Sequence, residues 1–271
     1  HFVKNRVYAL DAKTGVPIKS FGEGGYIDLR KNLRIDYQKA SIEVTSPGIV
    51  YKNFLIVGSR VPEGYESTPG DVRAYDTLTG EFKWIFHTIQ EKGEFGYDTW
   101  EWVEGETYGG ANPWGGFSLD EERGWVYCAT GSPSFDFYGG NRIGMNLFGN
   151  CVLALDAETG ERKWHYQTVH HDLWDYDNPS APVLATVSDK GKKRDVVVQL
   201  TKMGLTFVLD RDTGEPVFPV AEMPVPQSDI AGEKAYPTQP IPLRPPPLNR
   251  LEITEADLLD ILQTPSGKFR I

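Results

Sequence analysis

Four segments of this chain repeat one pattern, and that repeat restricts the possible folds more than any other feature. They are "VYALDAKTGVPIKSF" from Val7, "VRAYDTLTGEFKWIF" from Val72, "VLALDAETGERKWHY" from Val152 and "TFVLDRDTGEPVFPV" from Thr206. Each reads as strand, Asp-x-x-Thr-Gly, strand. The carboxylates of Asp11, Asp76, Asp156 and Asp210 can accept hydrogen bonds from backbone N–H groups two residues on. The glycine four places later tolerates a positive φ. A loop of this length with a left-handed glycine suits a hairpin with a bulge. The aspartates stand 65, 80 and 54 residues apart. That spacing fits one copy per four-stranded sheet with insertions in the loops, which is the signature of a β-propeller. A β-sandwich would leave the recurring turn unexplained.

Further strand candidates lie between the copies, in "GIVYKNFLIVGS", "GGFSLDEERGWVYCATG" and "RDVVVQLTKMGLTFVLD". Trp84 and Trp164 follow their aspartates by eight residues and are placed to pack between neighbouring blades, whereas Lys19 and Phe218 hold that place in the outer copies. Four blades with long insertions leave open edges, so the chain reads as the middle of a larger catalytic domain. After Val220 the composition turns proline-rich, and residues 221–271 read as an extended insertion between blades. Within it "TEADLLDIL" predicts a short helix, with Thr254 as N-cap and Asp257 three residues on.

At 39% hydrophobic and 12% aromatic residues the chain can bury a sizeable core. A net charge of −10 argues against a nucleic-acid surface. No apolar run approaches the roughly 20 residues that span a bilayer. Cys128 and Cys151 sit in strand-like apolar contexts and read as buried small side chains, not a disulfide framework.

The octapeptide "HHDLWDYD", residues 170–177, asks for a chemical explanation. A zinc site on His170 and His171 is one reading. Adjacent histidines diverge on an extended chain, however, and no other His/Cys cluster completes such a site. The other reading is a carboxylate base with its supports, in which the histidines orient the aspartates.

The octapeptide follows directly on "ALDAETGERKWHYQTV", and together they resemble the pyrroloquinoline quinone (PQQ)-dependent dehydrogenases, closest to the membrane glucose dehydrogenase type. The resemblance runs from about Val7 to Pro240 through "GSRV", "FGYDTWE", "GGANPWGG", "TGSPSFDFYGGNR", "TKMG", "FVLDRDTGEP" and "PTQP" in order. It implies an all-β, eight-bladed propeller, of which about four consecutive blades (residues 1–220) stand here. It also implies PQQ and calcium or magnesium as cofactors, and Asp175 as the base that takes the substrate's hydroxyl proton. Asp172 and Asp177 are left as loop or metal-shell residues. Lys202 is implied at the quinone oxygens, with Arg60 as a second cationic contact. Trp114 is implied as the face on which the flat cofactor lies, its flanking glycines permitting close approach.

For the metal the resemblance points to Glu63, with Glu66 as fallback, and to Asp175. The family's asparagine ligand falls on Ser132, a departure that puts direct coordination in doubt. The implied activity is oxidation of a sugar or other alcohol in the periplasm, with electrons passed to a membrane quinone or a cytochrome. The remaining blades of the parent chain are the implied structural partner. A non-catalytic propeller scaffold and a calcium-dependent sugar-binding module stay open as alternatives. Asp175, Lys202 and Trp114 together argue against the first; Ser132 keeps the second alive.

Overall fold

The computed structural model describes residues 1–36, 38–65, 67–189 and 191–251. The helix expected at Thr254 and the fallback ligand Glu66 lie outside the described residues. The first sheet holds β1 (Phe2–Val3), β2 (Arg6–Tyr8) and β3 (Tyr26–Asp28). The second holds β4 (Ile49–Tyr51), β5 (Phe54–Val57), β6 (Val72–Asp76) and β7 (Phe82–Phe86). The third holds β8 (Phe117–Asp120), β9 (Trp125–Ala129), β10 (Cys151–Asp156) and β11 (Arg162–Gln167). A three-stranded sheet of β12 (Val183–Asp189), β13 (Lys192–Leu200) and β14 (Thr206–Asp210) follows, then a hairpin of β15 (Val220–Pro224) and β16 (Thr238–Pro242). Neighbours in each sheet are antiparallel and consecutive in the chain. These are propeller blades, two of them complete.

The repeated turn joins the third and fourth strands of each complete blade, and its chemistry is the expected one. Asp76 Oδ1 accepts from the Leu78 and Thr79 N–H groups at 2.9 Å each, and Asp156 Oδ1 accepts from Glu158 and Thr159. Gly80 and Gly160 take φ of 74° and 75° and donate their N–H back to the aspartate carbonyl. The register slips by one residue just before each turn, between Ala74 and Tyr75 and between Ala154 and Leu155. In the fourth copy the strand after the turn shrinks to a Leu209–Pro216 bridge. Pro216 and Pro219 have no N–H to give a ladder.

The same glycines carry a second role. A Cβ on Gly160 would stand 2.5 Å from the Trp84 ring, and one on Gly214 would stand 2.5 Å from Trp164. Each indole therefore lies on the turn of the next blade, where Trp84 Nε1 donates to the Ala157 carbonyl and Trp164 Nε1 to that of Arg211. Trp84 and Trp164 do pack between blades. The first copy lacks the tryptophan, and there the Ile27 side chain and the Gly22 backbone occupy the space against Gly80.

Alternation does the rest. On β10, Leu153 and Leu155 face the second sheet's Ile56 and Ala74, while Val152 and Ala154 face the fourth sheet's Val197 and Phe207. Cys128 and Cys151 are unpaired and wholly buried in this stack. The proline-rich stretch departs from the extended loop expected of it, because β15 and β16 pair across Val220–Pro242 to Pro224–Thr238. Gln239 then holds this hairpin to the octapeptide: its Oε1 accepts from His170 N at 2.8 Å and its Nε2 donates to His170 O at 2.6 Å.

Candidate active site

Antiparallel order puts the Asp-x-x-Thr-Gly turns at one end of each blade. The loops between second and third strands, and those entering each new blade, come to the opposite end. The site candidates come from these loops alone. Arg60 and Glu63 follow β5, Ser132 and Asp136 follow β9, and Lys202 caps the β13–β14 hairpin. Trp114 leads into β8, and the octapeptide leads into β12.

A cavity of about 340 Å³ opens there, lined by Arg60, Glu63, Trp114, Ser132, Asp177 and Lys202 among others. Lys202 Nζ sits 2.8 Å from both oxygens of Asp175 and 3.0 Å from Asp177 Oδ2. It also lies 5.9 Å from the centre of the Trp114 ring. Burial lowers the Lys202 pKa, but hydrogen bonds and attraction to Asp175 and Asp177 outweigh it and leave the ammonium more basic than usual. Asp177 is the hub: Oδ1 accepts from Ser132 N at 2.6 Å and Oδ2 from Trp114 Nε1 at 3.1 Å. Burial raises its pKa, and the Asp175 charge adds to the rise.

Asp175 reaches this cluster through a strained loop. It has φ of 56° and His171 has φ of 46°, a conformation that bulky residues hold only when their surroundings fix it. Asp172 does the fixing. Its buried carboxylate accepts from Trp174 N at 2.9 Å, Tyr176 N at 2.6 Å and Asn150 Nδ2 at 2.8 Å. Burial lifts its pKa to about 6. Trp174 and Tyr176 turn the other way and line a second cavity of about 550 Å³ with Phe137, Met203 and Tyr236.

Two expectations need correction. The histidines do not orient the aspartates. His170 Nδ1 pairs with Gln167 Oε1 at 2.7 Å and its Nε2 lies 3.3 Å from Glu222. His171 Nδ1 pairs with Asn146 Oδ1 at 2.8 Å, and burial drives its pKa down to about 3. They brace loops as neutral rings. The glycines after Trp114 do not face the cavity either: a Cβ on Gly115 would meet Ser180 and Pro179, and one on Gly116 would meet Ser46. They let blade loops meet, and the indole is left half-buried at the cavity wall. Asp177 does lie in a loop, and there it joins Trp114, Ser132 and Lys202.

For a metal the geometry is mixed. Glu63 lies at the mouth, 65% exposed, with its Oε1 3.9 Å from Arg60 Nη2, and Arg60 Nη1 lies 3.8 Å from Glu43. Ser132 is buried, with its hydroxyl on the Pro133 carbonyl and its own carbonyl accepting from Ala111 N. Among the described residues no three His, Cys, Asp or Glu side chains form one ligating cluster. Sequence reasoning missed Asp136, a lining residue whose carboxyl burial lifts to about 8, with further repulsion from Asp177, Asp175 and Glu63. Its place in "SFDFYGG" carries no local signal; only the cavity reveals it.

Comparison with known proteins gives the family. The profile of the PQQ family described as glucose/ethanol/alcohol dehydrogenase, β-propeller domain, matches residues 1–271. The quinate/shikimate dehydrogenase (quinone) of Acinetobacter baylyi is 37% identical over 94% of this chain, and the quinoprotein glucose dehydrogenase of Escherichia coli is 35% identical over 87%. The chain spans 32% and 29% of their lengths. The structure of quinohemoprotein alcohol dehydrogenase from Comamonas testosteroni superposes with a TM-score of 0.69 at 29% identity, covering 89% of this chain and 36% of that one. Repeat, blade stacking, cavity and matched profile together identify this chain as part of a PQQ-dependent dehydrogenase β-propeller domain, a member of the glucose/ethanol/alcohol dehydrogenase family.

Proposed function

We propose that this chain contributes the base and one wall of the cofactor site to an enzyme that oxidises a sugar or other alcohol. The observation that carries the reading is one joined set: Trp114, Asp177 and Lys202 line the cavity, and Lys202 holds Asp175 beside them. The residues suit PQQ, a flat polycarboxylate. Trp114 offers a half-buried aromatic face, and Arg60 and Lys202 offer positive charge beside a volume in the range of small-molecule sites. Oxygen-rich, negatively charged lining also suits a hard divalent ion. The raised Asp136 carboxyl marks charge that a cation would compensate.

Bound PQQ with calcium or magnesium supplies the hydride acceptor and a Lewis acid. The protein's part is to position and to move a proton. Asp175 takes the substrate hydroxyl proton on a carboxylate oxygen as carbon gives up hydride. Lys202 anchors the Asp175 carboxylate by an ion pair and would offer a fixed positive charge to the bound cofactor. Asp177 keeps Lys202 and the indole of Trp114 in register. Glu63, Asp175 and the Ser132 position are the metal-holding residues of this reading. A membrane quinone or a cytochrome in the periplasm takes the electrons. The test is reconstitution of the full-length protein with PQQ and calcium, then dye-linked oxidation of sugars, polyols and simple alcohols. Absence of PQQ-dependent dye reduction with every substrate would sink the reading.

A further inference from the structure

Arg142 belongs to none of the roles above, yet it is wholly buried. Its guanidinium reaches three places. Nη1 donates to Asn146 Oδ1 at 3.1 Å, and Nη2 donates both to the Phe135 carbonyl at 3.1 Å and to the Asp172 carbonyl. Burial pulls its pKa down to about 10. A buried cation is expensive, and direct hydrogen bonds to carbonyls recover only part of that cost. Such a residue is kept for what it ties together.

What it ties are two chain segments that carry Asp136 and Asp177, carboxylates of the cavity lining. Phe135 immediately precedes Asp136, and Asp172 opens the loop bearing Asp175 and Asp177. One segment follows β9 within the third blade, and the other links that blade to the next, between β11 and β12. The far side of the tie is itself fixed: Asn146 Nδ2 donates to the Arg142 carbonyl at 2.6 Å, and Arg142 N donates to Gly139 O at 3.0 Å. Asn146 Oδ1 also meets His171 Nδ1, so the residue just before Asp172 joins the same knot.

We propose that Arg142 is a positioning residue, a buried fork that holds the Asp136 segment and the Asp175–Asp177 segment at a set separation across the cavity. The inference rests on the proposed function in one respect, that Asp175 is the base being positioned. The planar fork is the point. A lysine keeps the charge but cannot span two carbonyls and an amide at once.

The test uses Arg142→Lys in the full-length protein, with two readouts. In the protein without PQQ or metal, deuterium uptake in peptides covering 130–136 and 172–177 is expected to rise about tenfold, as the segments come apart. With PQQ and calcium, turnover is expected to fall about 100-fold while KM changes by no more than about threefold, because a misplaced base harms the chemical step and spares substrate binding. Wild-type uptake, or wild-type turnover, overturns the proposal. So does a loss of activity that appears only in KM or in PQQ affinity. If Arg142→Lys does not accumulate as folded protein, Asn146→Ala carries the same test. It releases one guanidinium nitrogen and leaves both carbonyl contacts, so a smaller change of the same kind is expected and no change overturns the idea. Should the wild-type protein show no PQQ-dependent oxidation, the functional reading fails, and the exchange experiment still decides whether Arg142 ties the segments.

Discussion

Replacing Asp136 by asparagine should stabilise the protein at neutral pH when PQQ and metal are absent. Burial, with repulsion from Asp177, Asp175 and Glu63, lifts this carboxyl from an ordinary 3.8 to about 8. Between those values the folded protein holds a proton that the unfolded chain has released, so the group's effect on stability worsens as pH rises through that window. At pH 7 the gap amounts to about 4 kcal/mol at roughly 1.4 kcal/mol per pH unit, and solvent reaching the cavity cuts this to about 1–3 kcal/mol. Asparagine has nearly the same shape and no charge to bury.

The gain of Asp136→Asn should therefore be near zero at pH 4, grow through pH 6 and level off above about 8. His165, held at about 4, and His171, held at about 3, act in the opposite sense. Both are buried neutral, so stability rises with pH from those values up to the ordinary 6.5. The wild-type profile alone mixes these effects, whereas the variant-minus-wild-type difference cancels the histidines. Thermal midpoints of chelator-treated protein at pH 4 to 8 provide that difference. A pH-independent difference, or a variant less stable at pH 7, would refute the account of the cavity as an excess of buried negative charge.

Other substitutions probe the remaining parts. Asp175→Asn should keep PQQ binding and lose about 100-fold or more in turnover, the scale of a missing general base; near-normal turnover would remove Asp175 from the chemistry. Ser132→Asn should supply a hard amide oxygen and tighten calcium in a chelator competition, and unchanged or weaker affinity would show that this position is no ligand place. Gly160→Ala should cost more stability than Gly15→Ala. Both have positive φ, 75° and 71°, but a Cβ meets the Trp84 ring at the first and nothing within 4 Å at the second. The excess, about 1–3 kcal/mol for overpacking, is read from denaturant midpoints, and equal losses would show that Trp84 does not lean on that turn.

The parts of this fold that were legible in sequence are those decided by neighbours along the chain. Asp156, Thr159 and Gly160 make their turn from contacts within four residues, so the motif carries the geometry with it. Strand alternation on β10 is likewise written in adjacent positions. Trp84 was placed between blades because it repeats at a fixed distance from that turn, and the structure finds its partner in Gly160, 76 residues on. The site residues brought together at the loop end rest instead on family resemblance, because the apolar strand segments around Lys202 only weaken the case for a surface lysine and name no partner.

What stayed hidden shares one physical character: it depends on polar surroundings that only the packed loops create. His171 looked like a support for its aspartate neighbours, but a left-handed backbone at that residue turns the ring towards Asn146. Arg142 looks like any arginine in a glycine-rich loop until the Phe135 and Asp172 carbonyls are seen to converge on it. Asp136 is an unremarkable loop aspartate until blade packing closes the cavity around it. A buried polar group has to find its partner or carry a large penalty. Such partners are selected by the assembled fold and not by the local chain. In this propeller the blades are encoded by short-range repetition, and the chemistry is encoded by the few long-range polar ties that hold their loops against one another.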